Sequence, residues 1–342
     1  MRERKLKLIQ VFRGFAAILV LLFHITANFE VLFTGKEFLF GIFKFGAAGV
    51  DFFFVLSGFI IAYSSLELVQ RQKHWQYVAH RIIRIYPIYW IVFIAYLLPH
   101  IFFPQYYNTI YSLDWKSILY AILLLPNHNM INGVSWTLSF ELYFYLLFLA
   151  IFCFKNTKLS AILIIIYAVI TIVFGDLKGP LSFYFSPLII EFFFGILIYF
   201  IFKLTFFKIR GPLFMLLGLI LFTISGYLTN HDFILFRTDL NRVALFGLPS
   251  FLIILGAVAY DIKKDVKIYN FLLSIGDASY SLYLIHLPIV VIVIKILSKQ
   301  PSINLLSLNV FLLLLFVFII IFSIAIHKII EKRITKFLKA KV

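Results

Sequence analysis

Charge is scarce in this chain of 342 residues: Asp, Glu, Lys and Arg together supply 13% of it, about half the share of a soluble globular protein. With so little polar surface and 63% apolar residues, a water-exposed body of this size is excluded. Cysteine is scarcer still. Cys153 stands alone, which rules out an internal disulfide and any cysteine-rich metal motif; no metal is expected. Acidic residues number 15 against 31 basic ones, a net charge of +16. The basic residues nevertheless fall in short clusters between apolar runs, with one longer stretch after residue 327. That pattern fits positive-inside anchoring against anionic membrane lipid rather than a nucleic-acid partner. What the chain holds in quantity is aromatic, 43 Phe and 19 Tyr, and side chains of that size need lipid or one another for cover.

Ten segments can cross a hydrocarbon core, which takes ~20 helical residues each. They are 8–28, 46–66, 78–98, 135–154, 158–174, 186–204, 212–229, 242–260, 278–296 and 308–328. The runs exceed the ~9–11 residues of a barrel strand, and each must satisfy its own backbone in lipid. The fold expected is an all-α polytopic membrane protein, with residues 1–328 as one core of about ten helices and both termini cytoplasmic. That orientation puts 22 Lys and Arg in the cytoplasmic connections and 8 in the opposite ones, a strong signal for multi-pass insertion in the cell's inner membrane. The N-terminal MRERKLK and the apolar run after it imitate a signal peptide, but the run carries Arg13 and ends in no convincing cleavage site, so it is expected to remain as a span.

The longest connection, 99–134, contains LDWKSILYAILLL, too short to span and expected as an interfacial or re-entrant helix. Tyr106, Tyr107, Tyr111, Trp115, Asn127, His128 and Asn129 in the same connection suit a carbohydrate and an ordinary membrane interface equally well. Residues 329–342 mix Ile329, Ile330, Ile334, Phe337 and Leu338 with basic residues, the pattern of a short amphipathic helix on the inner surface.

Ionisable groups inside spans are costly and therefore functional candidates. Arg13 and His24 lie 11 residues apart in the first span, on nearly one face and ~16 Å apart along the axis; they either share a cavity or snorkel to opposite headgroups. Asp51 lies just inside the second span as a candidate partner for His24 or as a charge favoured by the helix dipole. Ser57 and Gly58, near mid-membrane, favour tight helix packing. Arg81 and Arg84 share one face at the start of the third span, either as anchors or as ligands for phosphate. Pro87 can open a pocket there beside Tyr86 and Tyr89. Glu141 in the fourth span needs a partner, for which His24 is the obvious candidate. Ser279, Tyr283 and His286 fall on one face of the ninth span, where a structural hydrogen bond and a substrate contact explain His286 equally.

In combination these stretches resemble the membrane-bound acyltransferase-3 family. The elements are Arg13-Gly14 with His24, Gly49-Val50-Asp51 through Leu56-Ser57-Gly58-Phe59, Arg81 and Arg84 with Ile85-Tyr86-Pro87, Trp136-Thr137-Leu138 through Glu141, and Ser279-Tyr280-Ser281-Leu282-Tyr283-Leu284 with His286. Each is weak alone; their order across nearly the whole chain makes the set specific. The resemblance implies a ten-helix enzyme that moves an acyl group, acetyl above all, from cytoplasmic acyl-CoA to a carbohydrate or glycolipid hydroxyl. It implies His24 as the catalytic residue; on the chemistry of the spans, Glu141 or Asp51 is expected to orient its imidazole. Arg13, Arg81, Arg84 and Tyr86 would then attend the donor, and Trp136, Tyr283 and His286 the acceptor. Cys153, at the far end of its helix from His24, is a poor nucleophile. A transporter or flippase is the main alternative, a non-enzymatic assembly subunit is a third reading, and a homo-oligomer is compatible with any of them.

Overall fold

The computed structural model describes residues 6–33, 35–102, 114–126, 132–175, 179, 181–202, 204–231, 239–263, 266–299 and 304–342, and these form helices and connecting turns with no strand among them. Among the described residues, eight helices are long and apolar enough to cross a membrane. They are α1 (Lys7–Leu32), α2 (Ala48–Gln70), α3 (His74–Phe102), α6 (Thr157–Phe174), α8 (Thr205–Asn230), the composite of α9 (Asp239–Arg242) and α10 (Leu248–Lys263), α12 (Ser279–Leu297), and the composite of α13 (Leu305–Ile326) and α14 (Lys332–Lys339). The chain is thus a multi-pass membrane protein, with eight such helices where the sequence leads one to expect ten.

The other two expected spans form shorter apolar helices, α5 (Trp136–Phe152) and α7 (Ile189–Ile201), of 17 and 13 residues. Thirteen residues rise ~20 Å, short of a ~30 Å hydrocarbon core. Pro187 accounts for the late start of α7. It lacks an N–H and drives Ser186 away from helical geometry, so residues before Ile189 run in turns instead.

α2 lies at the centre, with 72% of its apolar window buried, against 11% for α6 on the periphery. A Cβ on Gly58 would come within 2.0 Å of the Phe192 carbonyl oxygen, and one on Gly195 within 2.1 Å of that of Val55. The backbones of α2 and α7 therefore touch, which only glycine permits. Phe54, Phe192 and Phe144 stack across α2, α7 and α5, with ring centroids 4.6 and 4.2 Å apart. On α6 the outward face of Ile162, Ile165, Ile166 and Val169 is exposed and requires lipid cover.

The short apolar run of the long connection forms α4 (Trp115–Leu123), capped at its start by the Asp114 carboxylate, which accepts from Ser117 N–H. Its last carbonyls have no partner within the helix. They accept from α3: Ala121, which also takes the Leu124 N–H of the helix cap, from Tyr89, Ile122 from the Trp90 indole and Leu123 from Tyr86. Tyr106, Tyr107, Tyr111, Asn127, His128 and Asn129 lie outside the described residues.

The stretch expected as a separate tail continues the last span. A single π turn, His327–Glu331, joins α13 to α14. Such a turn adds one residue and resets by ~100° the direction in which every later side chain faces.

Candidate active site

A cavity of about 340 Å³ opens among α1, α2, α3, α5, α12 and α14, within the size range of small-ligand pockets. Arg13, Arg81, Arg84 and Lys339 bring cations to its wall, Glu141 brings an anion, and Ser57, Thr137, Tyr145, Ser279, Tyr280 and Tyr283 bring hydroxyls. Gly58 packs against α7, as the sequence suggests, whereas its neighbour Ser57 faces this cavity.

Each charge has a distinct setting. Arg13 donates to Gln10 Oε1 at 3.3 Å, and Gln10 in turn donates to Asp277 Oδ1 at 2.5 Å, at the end of α11 (Asn270–Asp277). That chain fixes the guanidinium among Arg84, Glu331 and Glu141. Arg84 pairs with Glu331 Oε1 at 2.8 Å and lies 5.0 Å from the Tyr280 ring centroid. Glu331 is almost wholly buried and also accepts from Ser281 at 2.7 Å, with His327 Nδ1 at 2.9 Å. A buried carboxylate so fully partnered is a fixed structural element. Among the described residues, Arg81 has the Ser65 hydroxyl at 3.1 Å and the rings of Tyr77 and Tyr145, and its buried Nε has no partner. Glu141 accepts from Tyr145 O–H one helical turn on.

His24 stands outside the wall of this cavity. Its neighbour is His286 of α12, with ring centroids 5.1 Å apart. His286 is fully buried; its Nδ1 donates to the Leu282 carbonyl at 3.1 Å, and its Nε2 has no partner. In the neutral ring that leaves Nε2 as the lone-pair nitrogen. Tyr283 bridges the two regions. It lines the cavity, its ring centroid lies 5.9 Å from that of His286, and its hydroxyl bonds with Thr137 Oγ1 at 2.8 Å.

The structure separates residues that the sequence groups together. Glu141 and Asp51 do not contact His24. Asp51, fully buried, forms a two-pronged pair with Arg242 at 3.2 and 2.7 Å, which ties α2 to α9; Glu191 of α7 is packed beside that pair. Tyr86 lies away from the cavity and holds α4, because its position on α3 turns the ring toward the Leu123 carbonyl. Trp136 packs edge-on to Phe54 and Phe140, also off the cavity wall. Arg242, Glu191, Glu331 and Lys339 are not apparent as site residues in the sequence. A lone Asp51 in a span signals the need for a cation, but nothing in the sequence selects Arg242 to meet it. Among the described residues no cluster of three His, Cys, Asp or Glu side chains is placed to hold a metal ion.

Residues 7–328 match the acyltransferase-domain family, acyltransferase 3. The chain belongs to this family. It is similar to the exopolysaccharide production protein ExoZ of Rhizobium meliloti (strain 1021), 28% identical over 271 residues that cover 71% of this chain and 76% of ExoZ. It is also similar to "Putative acetyltransferase ORF330" of Acidianus two-tailed virus, 32% identical over 134 residues, 39% of this chain and 37% of that protein. No solved structure matches the chain with comparable significance. This acyltransferase-3 chain is an acyl-CoA-dependent membrane enzyme, and the matches lend nothing to a transporter or flippase.

Proposed function

We propose that this acyltransferase moves an acetyl group from acetyl-CoA, held in the cationic cavity, to a hydroxyl of an exported or surface carbohydrate at the opposite face of the inner membrane. The observation that carries the reading is the gathering of Arg13, Arg81 and Arg84 on one cavity whose inner wall, Tyr283, adjoins the His24–His286 pair. A nucleotide with a long thin thioester arm matches that shape. Phosphates suit the arginines, and the arm spans the ~16 Å of helix between Arg13 and His24.

The reaction balances without another reagent. The acceptor hydroxyl gives its proton to His24 as its oxygen attacks the thioester carbonyl. The C–S bond breaks, and the departing thiolate takes a proton back from the imidazolium. The products are an O-acyl ester and free CoA thiol. Arg13 faces the path of the arm, and Glu141 holds the local charge balance among the arginines rather than orienting His24. Tyr283 and His286 stand on the acceptor side.

The basic clusters support a reading with the cavity mouth, and both termini, on the cytoplasmic side against anionic lipid. An even number of crossings, with or without the two short helices, leaves both ends on one face. The acyl transfer is tested by supplying labelled acetyl-CoA to purified protein with polysaccharide isolated from a deletion strain. Label should enter the polysaccharide as an alkali-labile ester, and mass spectrometry should show that ester missing from the deletion strain. Unlabelled polysaccharide and unchanged surface glycans would contradict the proposed acceptor.

A further inference from the structure

One cation at the cavity lies beyond the residues matched by the family, 7–328. Lys339, in the last turn of α14, forms part of the wall with His80, Arg81 and Arg84, close enough to both arginines for their charges to interact. Like charges drawn to one concave mouth repel one another, and such a cluster is the arrangement that focuses an incoming polyanion.

The three permanent cations are not equivalent. Arg84 already has a carboxylate, Glu331, and an aromatic face, Tyr280. Arg81 has a neutral hydroxyl and an unpartnered buried Nε. The Lys339 ammonium has no hydrogen bond or ion pair to any described residue. The π turn explains how Lys339 comes to be there. Glu331 is pinned by Arg84 and Ser281, and eight residues, ~12 Å of helix, carry the chain from that pin to the cavity rim.

We infer that Arg81 and Lys339 form the phosphate-binding pair of the donor site, while Arg84, clamped by Glu331, anchors α14 in the position that delivers Lys339. The inference rests on the reading of this cavity as the acyl-CoA site and adds the C-terminal helix to it. The fork of Arg81 suits a phosphate edge, and Lys339 supplies a mobile point charge at the rim. A lipid headgroup offers the same phosphate chemistry, so the test separates the two sources.

The probe is CoA itself, titrated into full-length protein in nanodiscs of neutral lipid and, in parallel, of 30 mol% anionic lipid (a lipid fraction of about this order mimics an anionic leaflet). Lys339→Gln should weaken CoA binding about tenfold in both, the scale of one charge-assisted bond. Lys339→Arg should restore most of the affinity and so exclude misfolding. Pantetheine, which lacks the nucleotide, should bind wild type and Lys339→Gln alike. Lys336→Gln, on the same helix, and Lys341→Gln, just past its end, both off the cavity wall, should bind CoA as wild type does. Wild-type CoA affinity in Lys339→Gln would overturn the inference. So would a loss confined to anionic nanodiscs, which makes Lys339 a lipid anchor, or an equal loss in Lys336→Gln and Lys341→Gln. Failure of the wild type to bind CoA at all would instead overturn the reading of the cavity.

Discussion

Along α1 between Arg13 and His24, ~16 Å by helical rise, the surroundings change from guanidinium and carboxylate to imidazole and phenyl. At the Arg13 end a network holds most of the charges: Arg84 on Glu331, Glu331 on Ser281 and His327, Arg13 on Gln10. At the His24 end the neighbours are Phe23 and His286, with ring centroids at 5.1 Å in both cases, and no carboxylate is in contact. The contrast fits the proposed division of work. A preorganised field of charges suits holding a polyanion; a base that must take and return a proton is better served by surroundings that do not fix it in one charge state.

The comparison can be broken most severely at His24. His24→Ala should lower acyl transfer ~10²-fold or more, the usual scale for loss of a general base, while the protein stays inserted. Proportional loss of folded protein would make His24 structural. Next comes Asp51→Asn, which removes the carboxylate paired with Arg242 at a largely buried position. A loss of about 3 kcal/mol in stability follows, seen as a lower denaturation midpoint, with donor affinity retained in whatever protein folds. If transfer falls instead with stability intact, Asp51 belongs to the chemistry after all. Glu331→Gln should cost less, about 2 kcal/mol, because Arg84 keeps some access to water. It should also loosen α14, read as faster proteolysis after residue 331. An unchanged cleavage pattern would show that the Arg84 pair does not anchor that helix. Smallest is Tyr86→Phe, which removes one hydrogen bond to α4, about 1 kcal/mol. Donor affinity unchanged in that variant supports a role in holding α4, whereas a raised Kd would return Tyr86 to the donor site.

Most of the fold and half of the site were legible beforehand. Apolar runs and basic clusters mark spans because lipid tolerates few other compositions. α7 is short because Pro187 and its flanking turns delay the helix start, which hydropathy alone does not register. Arg13, Arg81, Arg84, Glu141 and Tyr283 do line one cavity, since helical periodicity fixes which residues share a face. What periodicity does not fix is which helices are neighbours. Asp51 and Glu141 look like partners for His24 by depth alone, and only the packing of α2 against α9 reveals Arg242. Glu331 reads as one acid in a basic tail, because a π turn that rotates it into the interior leaves no mark in the residue pattern.

The proposed division gives donor holding and acyl transfer to opposite ends of α1. It is tested most directly by measuring CoA affinity and single-turnover acyl transfer on the same purified Arg81→Ala and His24→Ala proteins. The account predicts opposite splits. Arg81→Ala should raise the donor Kd roughly tenfold and transfer nearly normally once saturated. His24→Ala should bind CoA as wild type and transfer ~10²-fold more slowly. Equal losses of affinity and transfer in both variants would contradict it.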